Sequence, residues 1–303
     1  MNITLKQLRV FCALYELRSF TAAARAAFVT QSAVSKLCAE LEAEVGQPLF
    51  ERSTRSVTPV DGAADFYAYA LEILGTVRAA ERSMSGLRSL ERGTVGVATS
   101  PLMMVGLMGD VVATFHLAHP KVKLDLFELS TDETIGYVRN GRADFGLVSM
   151  ETSAEELATR VVYRDTLYAV CAPGHPLASD SPVSWADVAA HDHVMLRNVY
   201  SVRRSLDQVA ADLNLKFRYG IEAGMLVSAL HLVGKGVGIT VVPGYACEIA
   251  RQLGLAVLSI EGAQEHGHAL WLIQRRNARL SLAASAFLDV MQDRLSLRQQ
   301  RPN

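Results

Sequence analysis

The sequence predicts an α/β multidomain chain on three observations: an N-terminal run patterned as two short helices around a tight turn, a long apolar stripe with a period near 3.5, and then a regular alternation of strand-like and helix-like segments. Its 303 residues, half of them hydrophobic, allow two domains with substantial cores. The expected layout is a winged helix-turn-helix over 1–62, a linker helix and hinge over 63–92, and a two-lobed α/β domain over 93–303. The first lobe takes about 93–164 and 267–303, the second about 165–266.

Ser19 to Leu41 carries the first observation. Ser19 is suited to cap a helix whose Ala22, Ala23, Ala24, Ala26 and Ala27 favour helix and are small enough to let a second helix cross closely. Thr30 then caps a second helix, in which Val34, Leu37, Cys38, Leu41 and Val45 recur at steps of three and four and form one apolar face. Gln31, Ser32, Ser35, Lys36 and Ala39 lie opposite, polar or small, as a helix entering the major groove of double-stranded DNA requires. Alone, this pattern fits a plain amphipathic helix pair equally well. Thr4 to Gln7 has the form of a capping box for a preceding helix, with Leu5, Leu8, Phe11, Cys12 and Tyr15 on its inner face. Gly46 and Pro48 mark the end of the recognition-type helix, and Arg52 and Arg55 fall on a short hairpin or extended wing able to reach phosphates.

Composition sets bounds on partners. A formal charge of −1 excludes an overall basic protein, so a nucleic-acid surface has to be local; residues 1–60 hold seven basic against five acidic residues. Cys12, Cys38, Cys171 and Cys247 are scattered without a CxxC pair, which points to reduced thiols rather than a disulfide or zinc site. No apolar run is read as approaching a membrane span, and charges at Lys6, Arg9, Glu16 and Arg18 exclude a signal-peptide core, so a cytoplasmic protein without a membrane partner is expected.

With the wing in place, a longer match is visible. LRVFCALYELRSFTAAARAA and then TQSAVSKLCAELEAEVGQPLFERSTRSVTP resemble the N-terminal domain of LysR-type transcriptional regulators over residues 5 to 62. Gln31, Ser35, Leu41, Glu42, Gly46, Leu49, Phe50, Arg52 and Arg55 stand at matching positions. One departure is Gly62, four residues after Thr58, where the family usually has three. The resemblance implies a DNA-binding head, a dimerising linker helix, a homodimer or homotetramer, and RNA polymerase as a further partner.

From Ala63 a long helix is expected, with Phe66, Ala70, Ile73, Val77, Ala80, Met84 and Leu87 alternating steps of four and three. Such a stripe suits an intermolecular helix pair, although packing on its own domain gives the same spacing. A dimer would present two recognition helices about one duplex turn apart, or a multiple of it, and predicts a partly palindromic site. Arg88 to Gly93 reads as a polar hinge.

Beyond the hinge, strands are expected at 94–99, 122–129 and 143–149, with helices from Leu102 and over 132–140. A second series follows, with strands at 167–172, 194–196, 217–221 and 237–242 and helices from Val202 and Met225. Ala269 to Gln274 and a final helix from Leu280 rejoin the first lobe. This alternation implies parallel sheets covered by helices, with a ligand cleft at the carboxyl ends of strands. It also resembles the effector-binding domain of the same family, which is related in fold to periplasmic binding proteins.

At those strand ends stand the candidate effector contacts. Thr99, Ser100 and Pro101 end a strand and open a helix, where free N–H groups favour a carboxylate, although Ser100 serves equally as a simple cap. Ser130, Thr131, Ser149, Arg197, Tyr200, Ser201 and Met225 occupy the corresponding ends elsewhere. Enzyme-like motifs fail on context: the glycines of 234–238 precede a strand, His191-Asp192-His193 lacks a third ligand, and Cys171 with His175 lacks a supporting acid. No catalytic residue, metal or cofactor is assigned. The expected function is DNA-binding transcription regulation controlled by a small-molecule effector, an organic acid or aromatic carboxylate. The alternative is a cytoplasmic sensing protein whose N-terminal helices serve only assembly.

Overall fold

The computed structural model describes residues 2–52, 57–85, 93–150, 157–179, 182–198, 200–276 and 278–300. The chain divides into two compact units, Met1–Met84 with Arg139–Arg142, and the remainder.

In the first unit, α1 (Leu5–Leu17), α2 (Phe20–Ala26) and α3 (Gln31–Val45) precede a hairpin of β1 (Phe50–Arg52) and β2 (Val57–Pro59) and the long α4 (Ala63–Ser85). The caps lie where the sequence predicts them. Thr4 and Gln7 form a capping box, and the Ser19 and Thr30 hydroxyls accept from Ala22 N at 3.3 Å and Ala33 N at 3.2 Å. Gly46 ends α3 in the left-handed conformation, φ 81°, which a Cβ would penalise. Phe11 is fully buried and meets Phe50, Phe66, Tyr15 and Tyr67 at centroid distances of 5.5, 5.0, 6.0 and 6.5 Å. This aromatic nucleus, with Leu14, Val34 and Leu41, closes the core.

The predicted α4 stripe requires correction. Ala70 is buried in the core of this unit and Phe66 packs on Phe11, so neither faces outward. Ile73 and Ala80 of the predicted stripe are exposed, and Tyr69 and Thr76 join them at steps of four, three and four, with Val77 half-buried. Leu87 and the Met84 side chain lie outside the described residues.

In the second unit, β3 (Gly93–Thr99) leads into one continuous helical run: α5 (Pro101–Met103), a π turn over Met104–Met108, and α6 (Gly109–Ala118). Then come β4 (Val122–Glu128), α7 (Thr131–Arg139), β5 (Phe145–Ser149) and β6 (Leu157–Asp165). The chain crosses at Thr166 into β7 (Leu167–Cys171), α8 (Trp185–Ala190), β8 (Asp192–Leu196), α9 (Ser201–Asp212), β9 (Arg218–Ala223) and α10 (Leu226–Gly234). It continues through β10 (Thr240–Pro243), α11 (Cys247–Gln252) and β11 (Ala256–Ser259), and returns by β12 (His268–Arg275) and α12 (Leu282–Gln299).

Two lobes result. The first holds a sheet in the order β4-β3-β5-β12-β6, parallel about β3 and antiparallel about β12. The second holds β10-β7-β11, antiparallel, and the parallel pair β8-β9, joined by a bridge between His193 and Ile239. β6, β11, α8 and α11 have no counterpart in the sequence-based expectation.

The membrane expectation also needs amending. By length and composition alone, Pro101–Ala118 is apolar enough to cross a membrane, with a mean hydropathy of 1.5 over 18 residues. Its Met103, Leu107, Val111 and Phe115, however, are buried in the core, where Phe115 meets Phe287 at 5.0 Å.

Candidate functional site

Helix α3 owes its outward face to its inward one. Val34, Cys38 and Leu41 are buried, which turns Gln31, Ser32 and Lys36 to solvent, with Ser35 half-buried at the edge of the stripe. Thr30 and Ser32 share a hydrogen bond at 3.0 Å, and Thr21 donates to Gln31 at 3.5 Å, so the first turn of α3 is tied to α2. Lys36 has only a loose ion pair, 3.9 Å to Glu40, with both side chains exposed, and such pairs contribute little. Glu42 fixes the wing: its Oε1 accepts from Leu49 N at 2.9 Å and Phe50 N at 3.1 Å. In the hairpin Arg52 pairs with Val57, while Arg55 lies outside the described residues.

In the second unit a cavity of about 860 Å³ opens between the lobes. Lobe one contributes Thr131, Ile135, Ser149, Met150 and Trp271. Lobe two contributes one face of α9: Ser201, Arg204, Ser205, Gln208 and Asp212. Arg164, Gly267 and His268 line it from the crossing segments, and Glu265 and His266 stand beside them. Burial pushes His268 down to about 4, so its imidazole is neutral at physiological pH.

Of the predicted effector contacts, the cavity brings together Thr131, Ser149 and Ser201. The others do not line it, and several are engaged within the fold. Thr99 is fully buried and donates to Leu147 O at 2.7 Å. The Ser100 hydroxyl caps α5 through Met103 N at 3.2 Å, with Pro101 in the first turn. Ser130 forms a reciprocal cap with Glu133, donating to its carboxylate at 2.7 Å. The Tyr200 hydroxyl donates to Gly224 O. Arg197 and Met225 are exposed outside the cavity.

Sequence reasoning missed Arg164, Arg204, Ser205, Gln208 and Trp271. A signal existed for α9: Ser201, Arg204, Ser205, Gln208 and Asp212 recur at helical spacing opposite buried Val202, Leu206 and Val209. Behind that face Arg203 locks α9 to its neighbours. It contacts Asp207 at 2.9 Å, Glu222 at 3.0 Å, Leu196 O and Tyr219, whose ring lies 4.9 Å beneath its guanidinium.

All four cysteines are buried and free, and desolvation pushes the Cys12 and Cys247 thiols up to about 12, far from reactive thiolates. Among the described residues no cluster of three or more His, Cys, Asp or Glu side chains is arranged to hold a metal.

A helix-turn-helix with an exposed polar face, carried on the same chain as a two-lobed domain with a cleft for a small molecule, defines a ligand-responsive DNA-binding protein. Comparison with known proteins agrees. Residues 5–61 match the bacterial regulatory helix-turn-helix proteins of the lysR family, and residues 88–296 match the LysR substrate binding domain. The chain belongs to the LysR family: it is a DNA-binding transcription regulator with an effector-binding domain, and not an enzyme.

Among its relatives, the RuBisCO operon transcriptional regulator of Allochromatium vinosum is 26% identical over 288 residues, covering 95% of each chain. A full-length OxyR variant from Pseudomonas aeruginosa superimposes with a TM-score of 0.75 at 18% identity, over 100% of this chain and 99% of that one. Full-length CbnR in complex with its target DNA gives 0.59 at 20% identity, over 96% and 99%.

Proposed function

We propose that this regulator responds to an organic acid or aromatic carboxylate held between its lobes. The observation that carries this reading is the cavity of about 860 Å³, whose lining combines the guanidinium groups of Arg164 and Arg204, the hydroxyls of Thr131, Ser149, Ser201 and Ser205 and the apolar Ile135, Met150 and Trp271, with the carboxylates of Asp132, Asp212 and Glu265 also in its walls. An arginine suits a carboxylate, and the apolar side chains suit a ring or alkyl body.

On this reading residues 1–62 form the DNA-reading head, 63–92 the dimerising linker, and 93–303 the effector domain. Gln31, Ser32, Ser35 and Lys36 read base edges or adjacent phosphates, Thr30 orients that turn, and Arg52 with Arg55 holds the wing on the backbone. The exposed Tyr69, Ile73, Thr76 and Ala80 supply the seam of a homodimer, or of the dimers within a homotetramer, on a partly palindromic site in the cytoplasm, where RNA polymerase is the onward partner. Lobe closure around the effector favours one arrangement of subunits and so changes the bend of the DNA.

A thermal-shift screen of aromatic and aliphatic carboxylates against their amides tests the effector class. Acids should stabilise the protein, amides should not, and Arg204→Met should abolish the shift; equal stabilisation of both proteins overturns the assignment. Fluorescence anisotropy tests the head: binding to the protein's own upstream region no tighter than to random DNA at physiological salt would count against sequence-specific reading.

A further inference from the structure

The charges around the effector cleft are of both signs, and that narrows what the cleft can hold. Among the described residues its lining carries three carboxylates, Asp132, Asp212 and Glu265, against two guanidinium groups, Arg164 and Arg204. His268 adds no charge, because burial keeps it neutral at physiological pH. A plain organic anion would meet its arginines with an excess of like charge around it.

One of these carboxylates is already engaged. Asp212 accepts from Gln208 Nε2 at 2.7 Å and lies 3.6 Å from the His266 ring. Asp132 and Glu265 differ: among the described residues no cation pairs with either, and no carboxylate pairs with Arg164. Opposite charges share one cavity and remain unpaired because the fold holds them apart. Arg164 sits at the end of β6, where the Gln299 side chain accepts from its N and donates to its O, each at 2.9 Å. Asp132 is fixed in the first turn of α7, beside Thr131 and one turn before Ile135, which line the same cavity.

An aspartate in a first turn also steadies its own helix. In α7 that task falls to Glu133, whose carboxylate accepts from Ser130 N at 3.0 Å and from the Ser130 hydroxyl at 2.7 Å. Asp132 makes no such bond and lines the cleft instead. An ammonium group offers three donors, and the hydroxyls of Thr131 and Ser149, in the same lobe, supply further acceptors beside that carboxylate.

We propose that the effector is a zwitterion, an α-amino acid with an apolar side chain, whose carboxylate meets Arg204 and whose ammonium meets Asp132. This rests on the carboxylate reading of the cleft given above and narrows it. Arg204 belongs to lobe two and Asp132 to lobe one, so a ligand with one charge on each draws the lobes together. An acid without an ammonium leaves Asp132 unpaired as the cleft closes, and desolvation penalises that state.

The test is isothermal titration of the full chain with the apolar L-amino acids, each beside its deamino analogue. L-Phenylalanine and 3-phenylpropionate form one such pair, alike in ring and carboxylate and different in the ammonium. The amino acid that binds should do so about tenfold more tightly than its analogue. Asp132→Asn should bring that ratio down to about one and Asp132→Glu should keep most of it, whereas Arg204→Met should weaken both members of the pair. Asp132 is exposed on its helix, so both of its variants should fold. No binding by any apolar amino acid, an analogue that binds as tightly as its parent, or a ratio unchanged in Asp132→Asn overturns the inference. Binding by the analogues alone, or equally, would leave the function proposed above standing, while binding by neither kind of acid would remove both.

Discussion

Helix α3 and helix α9 each bury an apolar stripe, Val34, Cys38 and Leu41 in one and Val202, Leu206 and Val209 in the other, and each turns a polar stripe away from it. The α3 stripe opens onto solvent, with Gln31, Ser32 and Lys36 exposed. The α9 stripe faces a cavity, and Gln208 there already donates to Asp212 at 2.7 Å. Their anchorage differs too. Thr30 caps α3 from within its own segment, whereas Tyr200 gives α9 no side-chain cap and Arg203 ties the helix to β8 and β9 instead. Amphipathic spacing therefore announces a polar surface without saying whether macromolecule or small molecule will meet it; the long-range surroundings decide that.

The surroundings of the α9 cavity include two ionisable groups whose shifts oppose each other, and this gives the largest expected effect. Burial raises Asp165 from its ordinary 3.8 to about 6 and lowers His268 from 6.5 to about 4. The folded state binds the Asp165 proton more tightly, so that group lends stability at low pH which is lost as pH rises from about 4 to 6. His268 is folded in its neutral form, so it lends stability above about 6.5 which is lost as pH falls toward 4. Each is worth about 3 kcal/mol, and over pH 4 to 6 they offset one another. Relative to wild type, urea unfolding of Asp165→Asn should show stability rising with pH through that window, and His268→Phe the reverse. Parallel profiles for all three proteins would remove the electrostatic contrast between this region and α3.

Next in size is the anchorage of α9. Replacing Arg203, whose side chain is 12% exposed, with Met removes its bonds to Asp207, Glu222, Leu196 O and Tyr219 and should cost about 2 kcal/mol. Lys should not rescue it, because an ammonium cannot reproduce the fork or lie flat over Tyr219. The readouts are urea unfolding and affinity for a cleft ligand, since a shifted α9 moves Ser201, Arg204 and Gln208 together.

How much of each region is legible in the sequence follows from the same contrast. In the first unit Thr4, Ser19, Thr30 and Gly46 cap within three or four residues of their partners, and these caps stand where local spacing predicts them. Tertiary packing overrode local spacing on part of α4, where Ala70 joins the core and Phe66 packs on it, while Ile73 and Ala80 stay exposed and are joined by Tyr69 and Thr76. In the second unit most strands and helices are legible from alternation. β6 is not: it pairs with β12, more than a hundred residues away, and only that pairing brings Arg164 and His268 to one cavity wall. Ser100 and Ser130 stand at strand ends, where a hydroxyl can meet a ligand, yet such hydroxyls also cap helices, and both do so here. Local sequence carries both uses in the same letters.

On the α3 side, a change at the exposed stripe should alter DNA affinity without altering stability. Gln31→Ala should cost about 1.5 kcal/mol of discrimination between the preferred site and a single-base variant, with thermal stability unchanged within about 0.5 kcal/mol. Competition anisotropy against a panel of single-base operators measures the first, and unfolding without DNA the second. A stability loss as large as that of Arg203→Met would mean that α3, like α9, uses its polar face to hold the fold.

The smallest effect separates capping from reading at one residue. Thr30 accepts from Ala33 N at 3.2 Å and also meets Ser32 at 3.0 Å, so its hydroxyl serves the helix before any DNA is present. Thr30→Ala should destabilise the first unit by about 1 kcal/mol in chemical denaturation without DNA, whereas Thr30→Ser keeps the oxygen and should restore stability. Because the proposed function has the first turn of α3 enter the groove, both variants should then be measured for DNA affinity across a salt series. If Ser restores affinity along with stability, Thr30 acts on DNA only by setting the helix start. If stability returns and affinity does not, the Thr30 methyl itself touches the duplex. An unchanged salt slope in both would assign that contact to a base edge rather than a phosphate, since only phosphate contacts release counterions.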